Sequence, residues 1–291
     1  MTRDVPQAGP YENAAERRRH FLGVWLDPLT IDQTVAACVK AVEERSPLTI
    51  GVLNAAKIVR LRKSEELRRA VLDCDLVLAD GQSVVWAARL LRRPLPERVA
   101  GIDLMLALLP EAERRGDRVF FFGARPEVLE RTLEEVLSRF PGLIVAGSRH
   151  GYFSTAEAPE IADEIRDART DLLFIGVSSP MKELFIRDWA PRTGACVSHG
   201  VGGTFDVLAG EVRRAPLWWQ RHGLEWLYRV IQEPLRLGPR YFTTNFTFVA
   251  LVALAAVRET LRGLTRARRP GAKSAGRPGS KSARRPGAKS P

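Results

Sequence analysis

Between Phe21 and Ala209 the chain alternates short apolar runs with longer amphipathic stretches. The runs Leu48–Leu53, Asp75–Ala79, Arg118–Phe122, Leu143–Gly147, Asp171–Gly176 and Ala195–His199 read as strands. VFFFG and LLFIG are apolar without alternation and end in glycine, as a strand buried on both faces does where it turns into a helix. Between the strands lie helical patterns such as Pro126–Phe140, whose Val128, Leu129, Leu133, Val136 and Leu137 fall on one stripe. Strand, glycine turn, helix and strand in succession predict an α/β fold, a parallel sheet with helices on both faces. Ligands in such sheets sit at the carboxyl ends of the strands, so the residues just after each strand carry the functional reading.

From Arg213 the pattern changes. The stretch RRAPLWWQRHGLEWLYRVIQEPLRLGPRYF reads as helical, interrupted at Pro216, Pro234 and Pro239, and is dense in arginine, tryptophan and tyrosine. It leads into the uncharged run Tyr241–Val257, which at about 17 residues is at the lower limit for a bilayer span. Thr243, Thr244 and Asn245 weaken that reading, so a helix packed on the domain or lying in the membrane interface is expected instead. The predicted organisation is a flexible N-terminus over residues 1–20, an α/β domain over 21–210, a helical C-terminal appendage over 211–265 and a basic tail over 266–291.

Composition narrows the class. With 45% hydrophobic and 27% charged residues, the chain excludes wholesale disorder. Its three cysteines, Cys38, Cys74 and Cys196, lie far apart, which excludes a disulfide scaffold, a zinc ribbon or a dithiol redox motif. Met1–His20 is polar and does not read as a signal peptide, so a reducing cytoplasm is the expected compartment. The formal net charge is +11, and nine of those charges lie between Arg266 and Pro291, leaving the preceding chain nearly neutral. This Pro/Gly/Ser/Lys-rich tail cannot form a core and reads as solvated, with anionic lipid or nucleic acid as the alternative partners.

Five polar junctions fall on the predicted carboxyl edge. In DLVLADGQSVVW an apolar strand ends in Asp80-Gly81, and a helix pattern starts at once with Gln82 and Ser83. A carboxylate there suits a general base that takes a proton from an attacking hydroxyl, although Asp-Gly alone favours a turn or helix cap. In GVLNAAK, Asn54 stands where it either caps the helix or hydrogen-bonds a sugar or base. Gly123 precedes Pro126 in a glycine turn suited to an anion. Ser179 and Lys182 follow a buried strand in IGVSSPMKE, and Gly202 and Gly203 allow close backbone approach in SHGVGGTFD. Together they indicate a nucleotide-type ligand. There is no G-x-G-x-x-G, which disfavours a nicotinamide-dependent oxidoreductase. Asp73-Cys74-Asp75 has the D-x-D form of a divalent-ion site but precedes its strand, at the opposite end of the sheet. The four histidines show no ligand spacing, so no metal and no cofactor are expected.

In combination the stretches LNAAKIV, DLVLADGQSVVWAARLL, PERVAGIDLM, RVFFFGARPEVLE, HGYF, LLFIGVSSPMKE, GVGGTFDVLAGEVRRAP and GLEWLYRVIQEPLR resemble the bacterial WecG/TagA/CpsF glycosyltransferases, which include N-acetylmannosaminyltransferases. They occur in the family's order from about Val24 to Tyr241. The resemblance implies a Rossmann-like fold and metal-independent, inverting transfer of a sugar from a UDP-sugar to a polyprenyl-diphosphate-linked acceptor, in cell-surface polysaccharide or glycolipid synthesis. It implies that Asp80 is the base, that Asn54 and Asp206 line the nucleotide-sugar pocket and that Arg98 faces the diphosphate. Arg229 and Arg236 of the appendage would close over the site and stabilise the departing UDP. Two positions depart from the family's habit: Val52 replaces a hydroxyl residue and Lys182 replaces glutamine, which puts the identity of the donor sugar in question. The expected setting is the inner face of the cytoplasmic membrane, with peripheral attachment; a homo-oligomer is left open. The competing reading is a nucleotide- or nucleic-acid-binding protein whose basic tail and arginine–aromatic stretch grip bases.

Overall fold

The computed structural model describes residues 18–267. Residues 1–17 and 268–291, and the side chains at 236, 237, 239–241 and 262–267, lie outside that description. The side chain of Arg236 and all but the first two residues of the expected basic tail are therefore among the residues left aside. In chain order the first half comprises β1 (Arg19–Phe21), β2 (Val24–Leu26), α1 (Ile31–Glu43), β3 (Leu48–Leu53), α2 (Ala55–Leu61), α3 (Glu65–Leu72), β4 (Leu76–Ala79), α4 (Gln82–Leu90) and α5 (Gly101–Arg115). The second half comprises β5 (Arg118–Gly123), α6 (Pro126–Arg139), β6 (Ile144–Arg149), α7 (Ala158–Asp167), β7 (Leu172–Gly176), α8 (Met181–Thr193), β8 (Val197–Gly200) and α9 (Thr204–Leu208). Three further helices follow: α10 (Leu217–Arg221), α11 (Glu225–Gln232) and α12 (Pro234–Ala267).

β3 to β8 form one six-stranded sheet in the order β4-β3-β8-β7-β5-β6, and every pairing is parallel. All six expected strands are present, their ends displaced by at most two residues. The continuous apolar runs have the burial they call for. On β5, Phe120 and Phe122 face one helical layer and Phe121 faces the other; on β7, Leu173 and Ile175 alternate with Leu172 and Phe174. One layer joins α2, α3, α4, α7 and α8, and the other joins α1, α5, α6 and α9. Each fully buried phenylalanine on this sheet contributes about 1.5–3 kcal/mol by leaving water. The end of β5 lies against the end of β7 because Gly123 carries no side chain, while the missing side chain of Gly176 leaves room for the Phe205 ring. Gly123 sits at φ +145°, and a Cβ on it would lie 2.4 Å from the carbonyl carbon of Gly176.

The hydrophobic pattern did not predict the hairpin β1–β2, and Arg19 and His20 of the expected flexible segment belong to it. It is short, turns through Leu22 and Gly23 at positive φ, and is held by burial of Phe21, Val24 and Leu26. Asp27 then fastens it to the sheet edge: its Oδ2 accepts from the Val77 N–H at 2.7 Å and its N–H donates to the Val77 carbonyl at 2.8 Å.

Pro216 and Pro234 mark helix starts, as expected, but Pro239 lies inside α12 without breaking it. The carbonyl left without a donor four residues earlier is that of Leu235, a residue 94% exposed, so the lost hydrogen bond falls at the surface rather than in the core. At 34 residues α12 is about 50 Å long. It packs Phe248 and Val252 on the domain, with the Phe248 ring 6.5 Å from that of Phe21, and Arg93 pairs with Glu259 at 2.9 Å. Its other side exposes Phe242, Phe246, Val249, Leu254, Val257 and Leu261. Phe242–Leu261 is long and apolar enough to cross a membrane by length and composition.

Candidate active site

A cleft of about 250 Å³ opens at the carboxyl ends of β3, β4 and β8 and is closed on one side by α10, α11 and α12. Asp80, Asn54, Gly81, Gln82, Arg98, Ser179, Lys182, Gly202, Gly203 and Arg229 all line it, as do Val52 and several residues the sequence did not single out. The parallel pairing of β3 with β4 explains the central pair. Leu53 and Ala79 are in register, so the next residue on each strand, Asn54 and Asp80, emerges side by side. The Asn54 Nδ2 donates to Asp80 Oδ2 at 3.5 Å, while its Oδ1 accepts from the Lys57 N–H at 2.9 Å and caps α2. Asn54 therefore both caps a helix and faces the site. Asp80 does not cap α4; that position belongs to Gly81, which offers no side chain, so the first N–H groups of α4 remain available at the cleft.

Beneath the pair lies a buried cluster of charge. The Lys57 ammonium donates to the Val52 carbonyl at 2.7 Å and pairs with Glu183 at 2.8 Å, and Lys182 approaches the same carboxylate at 3.9 Å. Burial, reinforced by the neighbouring Lys57 charge, pushes Lys182 down to about 8, against the opposing pull of Glu183 and Asp80. Burial alone would raise Glu183, but the Lys57 and Lys182 ammonium groups hold it below the usual carboxylate range. Arg60 reaches the same wall and donates to Ser179 Oγ at 3.3 Å. Behind the glycine turn, burial pushes His199 down to about 4, so the ring is neutral and its Nε2 donates to the Gly101 carbonyl at 3.2 Å.

Arg98 forms the seam between the sheet domain and the appendage. Its guanidinium donates to Asp103 at 2.8 Å, to Glu225 of α11 at 2.7 Å and to Gln220 of α10 at 3.2 Å. Arg214 shares Asp103 from the other side. Arg229 comes from the next turn of α11, and both its guanidinium and Asp206 Oδ2 lie near Gly203. Asp206 thus stands beside the cleft rather than in its wall, and Gly123 lies outside it, packed on Gly176 at the end of β5, three strands from β3. Asp75 sits at the opposite end of β4, accepting from the Thr49 N–H and hydroxyl at 2.7 Å.

Sequence reading overlooked Lys57, Arg60, Glu183, Gln220, Glu225 and Asn245. Lys57 and Arg60 stand one turn apart on α2 just after Asn54, a spacing that puts both on the face turned to the strand ends.

The cleft thus sets a carboxylate among several cations at the carboxyl edge of a parallel sheet. The profile of the glycosyl transferase WecG/TagA/CpsF family matches residues 19–262, and the chain belongs to that family: it is a glycosyltransferase. It is 40% identical to an N-acetylglucosaminyldiphosphoundecaprenol N-acetyl-beta-D-mannosaminyltransferase of Bacillus spizizenii (strain W23), over 58% of this chain and 67% of that protein.

Proposed function

We propose that this glycosyltransferase moves an N-acetylmannosamine-like sugar from a UDP-sugar to a polyprenyl-diphosphate-linked acceptor at the inner face of the cytoplasmic membrane. The observation that carries the reading is the Asn54–Asp80 pair in a cleft closed by the C-terminal helices. Asp80 accepts the proton of the acceptor hydroxyl as that oxygen attacks the anomeric carbon from the side opposite the leaving group, so configuration inverts. Asn54 holds the carboxylate in place. The bond to UDP breaks as the new bond forms, and negative charge grows on the departing diphosphate. Arg229, Lys182 and the first N–H groups of α4 supply fixed positive charge for it, so the reaction needs no divalent ion; Arg98, expected to face the diphosphate, is instead engaged by Asp103, Glu225 and Gln220 and holds the appendage against the cleft. The acceptor is that of the Bacillus relative, carried over by likeness. The exposed apolar side of α12 supports work at a membrane surface. The donor sugar itself is set by the wall that includes Val52 and Lys182. The test is a donor-by-acceptor screen in excess chelator, read by product mass. A product from a UDP-sugar and a polyprenyl-linked acceptor is expected; activity only after manganese is restored would refute the metal-free reading.

A further inference from the structure

The protein has a second concavity, unlike the first. A groove of about 720 Å³ runs between α11 and α12, lined by Trp226, Leu227, Val230, Phe242, Phe246 and Val249. Phe242, Phe246 and Val249 are 75%, 71% and 64% exposed, on the side of α12 turned away from the buried Phe248 and Val252. A contiguous apolar surface of this kind marks a place where something else docks. The groove is not separate from the cleft: Trp226 and Asn245 belong to both. On α11 the change of character takes one step, since Arg229 lines the cleft and Val230 lines the groove. At the junction, Asn245 Nδ2 is buried and has no hydrogen-bond partner among the described residues. A buried amide donor left unmet is disfavoured unless a ligand brings an acceptor oxygen.

An occupant that satisfies all of this is anionic at one end and hydrocarbon at the other, with the anionic end toward Arg229 and the cleft. A bilayer acyl chain would fill the groove but gives Asn245 and the cleft nothing. We infer that the groove holds the first isoprene units of the acceptor, with Asn245 donating to the diphosphate that joins them to the saccharide. The acceptor would then enter the site along α12, its sugar presented to Asp80 and its chain leading out to the membrane. The inference rests on the acceptor proposed above.

Two acceptors with the same N-acetylglucosaminyl diphosphate head, one on a farnesyl and one on a methyl group, separate the groove from the head. The full chain should show a KM for the farnesyl acceptor lower by about tenfold or more, the scale of burying one large apolar side chain. Phe246→Ser should collapse most of that preference, whereas Leu254→Ser, on the same exposed side of α12 but outside the groove, should retain it. No preference in the wild-type chain, or a preference that survives Phe246→Ser, would overturn the inference. Equal loss in both variants would assign the effect to general lipid contact and overturn it too. Calorimetric binding of farnesyl diphosphate against inorganic diphosphate asks the same question without turnover. If neither acceptor receives sugar, the acceptor reading fails, while tight farnesyl diphosphate binding lost in Phe246→Ser still supports the groove; equal affinity for the two diphosphates overturns it.

Discussion

The sheet domain and the C-terminal helices solve the problem of apolar surface in opposite ways. The sheet hides its phenylalanines between two helical layers, and the described side chains of β3, β4, β5, β7 and β8 are almost all buried. In contrast, α11 buries none of its residues, and α12 leaves a row of large apolar side chains in the open. The sheet domain is held by packing. The appendage is held to it by a short seam of ion pairs, Arg98–Glu225, Arg214–Asp103 and Arg93–Glu259, and by the buried pair Phe248 and Val252. Stability therefore belongs to one region, while the site lies at the boundary of both.

Four measurements would break or sharpen that contrast. The largest effect is expected at Asp80: Asp80→Asn should lower turnover on the order of 10²–10⁴-fold, with donor binding and melting temperature close to wild type. Near wild-type turnover would remove Asp80 from the chemistry. Next, Phe121→Ala, in contact range of the Phe174 and Phe205 rings at 6.0 Å, should cost about 3–5 kcal/mol in urea unfolding. Phe246→Ala should change stability by only about 0.5 kcal/mol or less. Equal costs would mean the appendage is packed like the sheet domain.

The third concerns pH. Lys182 titrates near 8 in the folded chain, below its ordinary value, so it is an ammonium below that pH and neutral above it. Donor affinity that uses this charge should be constant below about pH 7 and be about tenfold lower by pH 9, in titration calorimetry. Lys182→Gln should bind the donor with no such step; a step retained in that variant would point to another group. The smallest effect is at the seam. Glu225→Ala removes one of three partners of Arg98, a partly buried ion pair whose loss is expected to cost about 1 kcal/mol. Limited proteolysis between residues 209 and 216 should rise about fivefold, with sheet unfolding unchanged.

The strands were legible because a strand buried on both faces needs an unbroken apolar run, and few other elements ask for that. Asp80 and Asn54 were legible for a related reason: a polar residue directly after such a run has nowhere to go but the sheet edge. The buried cations were not. Lys57 looks like an ordinary helix lysine, and what makes its burial tolerable is Glu183, far along the chain on α8. The hairpin escaped because three-residue strands carry too little periodicity to read. Asn245 was read as an argument against a membrane span, yet it stands where cleft and groove meet. Its position depends on how α11 crosses α12, which no local pattern encodes.

The strand order also bears on how the chain is made. β8 is the last strand synthesised, yet it lies between β3 and β7, pairing Thr49 with Ser198 and Phe174 with His199. Until residues 197–200 leave the ribosome, β3 and β7 each keep an unpaired edge, the kind of surface that invites wrong partners. Closing the sheet then joins segments about 150 residues apart, a contact of high order and a slow one to form. The same insertion brings in Gly200, Gly202 and Gly203, so the floor of the cleft is finished in the step that completes the sheet. A nascent chain stalled before Val197 would have most of its helices but an unfinished cleft, and would depend on chaperones for its solubility.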